Sequence, residues 1–205
     1  MPQYARAERE SLADLLQALG PEAPTINTGW TTRDLAAHLV LRERRPDAAG
    51  GIALRPLRGY AERVRRALAS RPYPQLVDAV RRPPWWSPVS NPLVDGLANT
   101  VEFFVHHEDV RRAQPAWKPR ELPPGHQAAL WRRGLPLGRL GLRRFPASVL
   151  VQAPGFGEAT AGAGGERVRL VGEPGELLLF LTGRQRVARV QLDGPAPLTA
   201  RLRGA

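Results

Sequence analysis

Apolar residues recur every three to four positions up to Ala113 and alternate with polar ones beyond Gly141, and this change of period constrains the fold more than any single motif. Between the two regimes lies 114–124, a stretch with four prolines that reads as a linker. The chain therefore divides into an all-helical part, 1–114, and an α+β part, 115–205, which includes the linker. A total of 205 residues is enough for each part to bury a core.

In the first part, residues 4–19 place Tyr4, Ala7, Ser11, Leu12, Leu15, Leu16 and Leu19 at helical spacing, and Gly20-Pro21 stops the run. Thr31 begins the next helix, with Asp34 three residues on, next to the positive helix end. Leu35, Ala36, Leu39 and Val40 supply its apolar stripe, and Pro46 ends it near Arg45. Residues 47–58, rich in Gly, Ala and Pro, are expected to form a loop. Helices follow at 59–70 and from Tyr73-Pro74 through Val80. The segment 81–88, with Trp85 and Trp86 among prolines, cannot be regular; its rings either cover a cleft mouth or pack on neighbouring helices. Residues 93–113 form the longest helix, with Leu93, Leu97, Val101, Phe104 and Val105 on an apolar side and Ala98, Glu102, His106 and Asp109 beside it.

In the second part, 127–141 is expected to be helical, 147–153 and 166–171 to be strands, and 155–165 to be a turn region between them. Pro174 in a first turn and Gly183 at a stop frame a helix. Residues 186–192 alternate as a further strand, and 197–203 can close the chain as a short helix. There is no internal repeat and no phosphate-binding glycine loop.

Composition removes several kinds of chemistry. There is no cysteine, so disulfides, thiolate zinc sites and a protein thiol nucleophile are excluded, and any thiol must come from a cofactor or substrate. No apolar run is long enough to span a membrane and Met-Pro-Gln-Tyr-Ala-Arg6 lacks a signal-peptide core, so a soluble, cytoplasmic protein is expected. The net charge of +11 comes from arginines; only Lys118 among the 30 basic residues is lysine. They are spread along the chain and often stand beside Glu or Asp, which suits a solvated basic surface better than a nucleic-acid stripe.

The chemistry-bearing residues are few. Glu102 and His106 are four apart on one helix, so their Cβ atoms lie roughly 6 Å apart on one face. His38 supplies a further imidazole, and the three together could form an open metal site between two packed helices, with the 47–58 loop over it. Also open is a satisfied His38 and a Glu102 paired with an arginine. His107 points about 100° away from His106 and is expected to support the site from behind or to lie on the surface with Glu108. His126 is expected to be exposed in a first helical turn. Arg184, just past Gly183, can hold an anionic group of a substrate or thiol cofactor, or instead satisfy free helix-end carbonyls.

Gly29-Trp-Thr-Thr-Arg-Asp-Leu-Ala-Ala-His38, Glu102-x-x-x-His106 and a downstream helix ending in Gly183-Arg184 give the chain a family resemblance. It resembles the DinB/YfiT-like superfamily in its mycothiol-dependent maleylpyruvate isomerase-like branch, most nearly a group described as metal-binding. The resemblance implies a four-helix DinB-like bundle that holds a divalent ion by His38, Glu102 and His106, followed by a small sterol-carrier-like α+β domain. Two imidazoles and a carboxylate suit zinc first, and also nickel, manganese or iron. The leading function implied is a metal-dependent transferase or isomerase acting on a small molecule with a low-molecular-weight thiol such as mycothiol or bacillithiol. The alternatives are a non-catalytic metal-binding or stress-response protein and, from another class, a basic nucleic-acid-binding protein.

Overall fold

A computed structural model describes residues 3–87 and 92–204. It divides into two compact units, Met1–Pro119 and Arg120–Ala205. The first is helical among its described residues; the second combines helices with a four-stranded sheet.

In the first unit α1 (Gln3–Leu19) packs on α5 (Tyr73–Arg81) and α6 (Pro92–Arg111), while α2 (Thr32–Arg44) packs on α4 (Arg58–Ala69) and α5. Leu12 and Leu16 of α1, Leu35 and Leu39 of α2, Leu76 of α5 and Phe103 of α6 are fully or almost fully removed from solvent. Truncating any of these leucines to alanine costs about 2–5 kcal/mol. The inward face of α1 differs from the expected stripe. Ala7 and Ser11 face solvent, whereas Glu8 and Arg9 are buried. Both charges are compensated. Arg9 binds the Glu43 carboxylate, donates to the Val80 carbonyl at 2.8 Å and stacks 4.1 Å from the Phe103 ring centroid. Glu8 meets His107 Nδ1 at 2.7 Å.

Thr31 precedes α2 as expected, and the Asp34 carboxylate accepts from the Thr31 backbone N–H at 3.0 Å. The helix ends at Arg44, before Pro46. There the structure departs from the expected loop. Pro46 opens a further helix, α3 (Pro46–Ala53), and a single 3-10 turn at Arg55–Leu57 leads directly into α4. Proline fits a first helical turn because it has no N–H to leave unpaired. Gly51 is what lets α3 lie on α4, since a Cβ there would stand 2.4 Å from the Leu57 carbonyl oxygen and 2.6 Å from Ala61 Cβ. Residues 82–87 have no regular structure; Pro88, the end of that segment, lies outside the described residues, as do the side chains of Leu93, Leu97 and Ala98.

In the second unit α7 (Pro124–Leu142) precedes β1 (Ser148–Ala153), β2 (Gly157–Ala161) and β3 (Arg167–Val171), followed by α8 (Pro174–Leu181), β4 (Gln191–Asp193) and α9 (Ala196–Gly204). The sheet order is β2-β1-β3-β4, with β1 parallel to β3 and the other pairs antiparallel. Val149, Val151, Val168 and Leu170 share one core with Leu177, Phe180 and Leu202. Two details correct the sequence reading. The 155–165 region contains β2, whose Val149-to-Ala161 and Ala153-to-Gly157 pairing makes a hairpin with β1. The strand expected over 186–192 shrinks to Gln191–Asp193, because the backbone N–H groups of Val187 and Ala188 bond back to Arg184 in a turn. Gly183 ends α8 with φ of +94°, a conformation that side chains resist. No helix among the described residues is long and apolar enough to cross a membrane.

Candidate metal centre

His38 on α2 and the pair Glu102 and His106 on α6 come together in the first unit. One side-chain donor atom from each lies within 4.8 Å of the others. Glu102 Oε1 is 3.2 Å from His106 Nε2 and 3.5 Å from His38 Nε2. Bonds of about 2.0–2.1 Å to a tetrahedral ion put donor atoms roughly 3.4 Å apart, so both separations match an edge of such a site. The His38 and His106 rings meet edge to face, with centroids 5.1 Å apart.

The supports of this cluster are specific. His106 Nδ1 lies 2.9 Å from Asp109 Oδ2. An ionised carboxylate only accepts, so Nδ1 carries the proton and Nε2 is left to face Glu102 and His38. The same Asp109 fastens the segment before α2, since its carbonyl accepts from the Ile26 N–H at 2.9 Å and its carboxylate from Asn27 Nδ2 at 3.2 Å. Trp30, at the end of that segment, tilts against His38 with centroids 5.3 Å apart, and the Arg65 guanidinium lies 4.9 Å above the indole. Arg42 donates to Asn99 Oδ1 at 2.6 Å, which holds its Nε 3.5 Å from Glu102 Oε1. The arginine pairing weighed for Glu102 thus exists beside the two histidines, on the same oxygen.

Electrostatics divides the two imidazoles. Burial of His38 pushes its pKa below 6.5, and the Glu102 carboxylate only partly opposes this. Burial acts the same way on His106 but is outweighed by Glu102 and Asp109, which raise that ring to about 9. Burial likewise works against the Glu102 carboxylate, yet His106, His38 and Arg42 hold it well below the usual carboxylate range. Without an ion, the cluster therefore places a proton on His106 where a cation's charge would otherwise sit.

Other residues fall outside the cluster. His107 and Glu108 are buried rather than superficial, because the far side of α6 packs on α1. Glu108 binds Arg111 at 2.8 Å and also pairs with Arg112. His126 does sit in the first turn of α7, but it is buried, not exposed. Arg184 belongs to the second unit, where its Nη1 donates to the Thr182 carbonyl at 2.7 Å in the turn after α8. Trp85 is 91% exposed. Neither Trp85 nor Trp86 lines the cavity beside His38; Gly51 and Ile52 of α3 do. Asp109, the partner of His106, went unassigned in the sequence, although its i+3 spacing from His106 was the available signal.

Compared with known proteins, the sequence matches no protein-family model and no curated protein. The fold, however, is shared with thiol-dependent isomerases. The chain is similar to the crystal structure of the mycothiol-dependent maleylpyruvate isomerase, with a TM-score of 0.53 and 18% identity over 95% of this chain and 92% of that one. A histidine-to-alanine mutant of the mycothiol-dependent maleylpyruvate isomerase gives a TM-score of 0.52 and 16% identity over the same shares.

Proposed function

We propose that the protein binds a divalent metal ion through His38, Glu102 and His106 and acts as a thiol-cofactor-dependent transferase or isomerase on a small molecule. The observation that carries this reading is the approach of three donor atoms from two helices to within 4.8 Å of one another. The donor set fits the ion, because two imidazoles and one carboxylate leave further positions open, as catalytic rather than structural zinc sites do. Zinc is the first choice, and nickel, manganese and iron accept the same donors. A bound ion would supply Lewis acidity, lowering the pKa of a thiol or water at the site.

The chain's own residues do the rest. Asp109 fixes the His106 ring and its tautomer, Trp30 restrains His38, and His106, His38 and Arg42 together hold the Glu102 carboxylate ionised against the effect of burial. The thiol must be a low-molecular-weight one such as mycothiol or bacillithiol, since the chain has no cysteine. The likeness to a mycothiol-dependent isomerase supports that part of the reading. We assign the helical unit to a DinB-like four-helix bundle, the second unit to a sterol-carrier-like domain, and Arg184 to an anionic group of substrate or thiol.

Elemental analysis of protein purified without a histidine tag tests the metal. His38→Ala, Glu102→Ala and His106→Ala should each lose most of it, while His107→Ala and His126→Ala keep it. Loss of the ion in His107→Ala with retention in His106→Ala would overturn the assignment.

A further inference from the structure

Beside the cluster, and within the same unit, α2, α3 and α4 line an open cavity of about 310 Å³. Trp30, Leu41, Ile52 and Ala61 give it an apolar wall. His38 belongs to this wall as well as to the cluster, so a molecule filling the cavity lies against one imidazole of the candidate metal centre. The volume is at the small end for small-molecule sites.

Three charged side chains also line it, and two of them already satisfy each other. Arg65 pairs with Asp34 and, at 2.8 Å, with Glu62; Glu62 is further held by Arg66 at 2.7 Å. Those contacts pull the Glu62 carboxyl down to about 2, with the Arg65 hydrogen bond as the largest cause. Arg58, the first residue of α4, is different. It lines the cavity and makes no hydrogen bond or ion pair with a side chain among the described residues. The segment around it keeps large apolar groups in water, with Ile52 41%, Leu54 56% and Leu57 43% exposed. An apolar wall with one unpaired guanidinium complements a molecule with an apolar body and a single carboxylate, which a guanidinium grips through two parallel hydrogen bonds.

We propose that this cavity binds a small organic acid with an apolar body, its carboxylate paired with Arg58. The inference rests on the metal reading for the acid's role next to His38, but binding itself does not require the ion.

The probe is 3-phenylpropionate, with 3-phenylpropionamide as its uncharged counterpart, titrated calorimetrically into the full chain with zinc and after chelation. The acid should bind at least ten-fold more tightly than the amide. Arg58→Met should weaken the acid at least ten-fold, erase the difference from the amide and leave metal content unchanged. Ile52→Glu, which puts a like charge into an already exposed part of the wall, should abolish acid binding. Equal affinity for acid and amide, an Arg58→Met chain that binds the acid as well as the parent, or no acid binding in either metal state would each overturn the inference. Arg58-dependent acid binding by a chain that retains no metal would uphold it while refuting the metal reading. Retained metal without acid binding would do the reverse.

Discussion

The opposed imidazoles of the candidate centre predict how metal affinity depends on pH. Burial holds His38 below its usual pKa, so at pH 7 its ring is neutral and ready to donate. His106, raised to about 9 by Glu102 and Asp109 against the effect of burial, is protonated at pH 7. An ion must displace that proton, at a cost of roughly 3 kcal/mol at pH 7 given about 1.36 kcal/mol per pH unit. Apparent affinity should therefore rise about ten-fold per pH unit from pH 7 to 9, and about one proton, not two, should be released per ion at pH 7. Chelator competition across this range gives the slope, and calorimetry in buffers of different ionisation enthalpy gives the proton count. The metal-free chain should show the opposite trend in folding stability. The share contributed by the His106 pairing is complete below the unfolded pKa of about 6.5 and is lost as pH rises through about 9. An affinity that stays flat between pH 7 and 8.5, or a release of no protons, would refute the assignment of a displaced proton to His106.

Two further outcomes test the surrounding structure. Arg9→Ala leaves Glu43 buried without its partner and should cost about 3–5 kcal/mol by urea unfolding. Arg9→Met combined with Glu43→Leu should restore most of this, and a loss under about 1 kcal/mol for the single variant would contradict the buried pair. Arg184→Ala should preserve metal content and the thermal transition while weakening an acidic thiol or substrate; unchanged affinity would remove Arg184 from the ligand site.

Spacing puts Glu102 and His106 on one face of α6, because a helix converts sequence separation into direction. It leaves open whether His38 joins them or Glu102 simply pairs with an arginine, and it is the family resemblance that implies the three together. What sequence hid was of two kinds. One was pairing between distant segments. Glu8 finds His107 and Arg9 finds Glu43, so two charges that periodicity assigns to solvent are instead buried. The other was structure imposed by a neighbour. The β2 residues Gly157-Glu-Ala-Thr-Ala161 carry no large apolar side chain to mark a strand and are extended because β1 offers them a hairpin register. Helix α3 was obscured by Gly50-Gly51, which lowers helix propensity yet lets α3 approach α4. Conversely, 186–192 reads as a strand from its mix of valines and polar residues, but two backbone bonds to Arg184 draw its first part into a turn.

Asp109 has a consequence for how this chain can vary. Its main chain grips Ile26, and its carboxylate grips both Asn27 and His106. The stretch joining α1 to α2 is thus pinned midway to the helix that carries two of the candidate ligands, a few residues before the helix that carries the third. Connecting segments ordinarily tolerate insertions because nothing depends on their length. Here a residue added between Asn27 and Trp30 would advance α2 relative to its pin and carry His38 away from His106 without altering any ligand. The spacing of this connector is fixed by the site it braces through Asn27 and Trp30, and drift in its length would break up the candidate ligand cluster as surely as loss of a histidine.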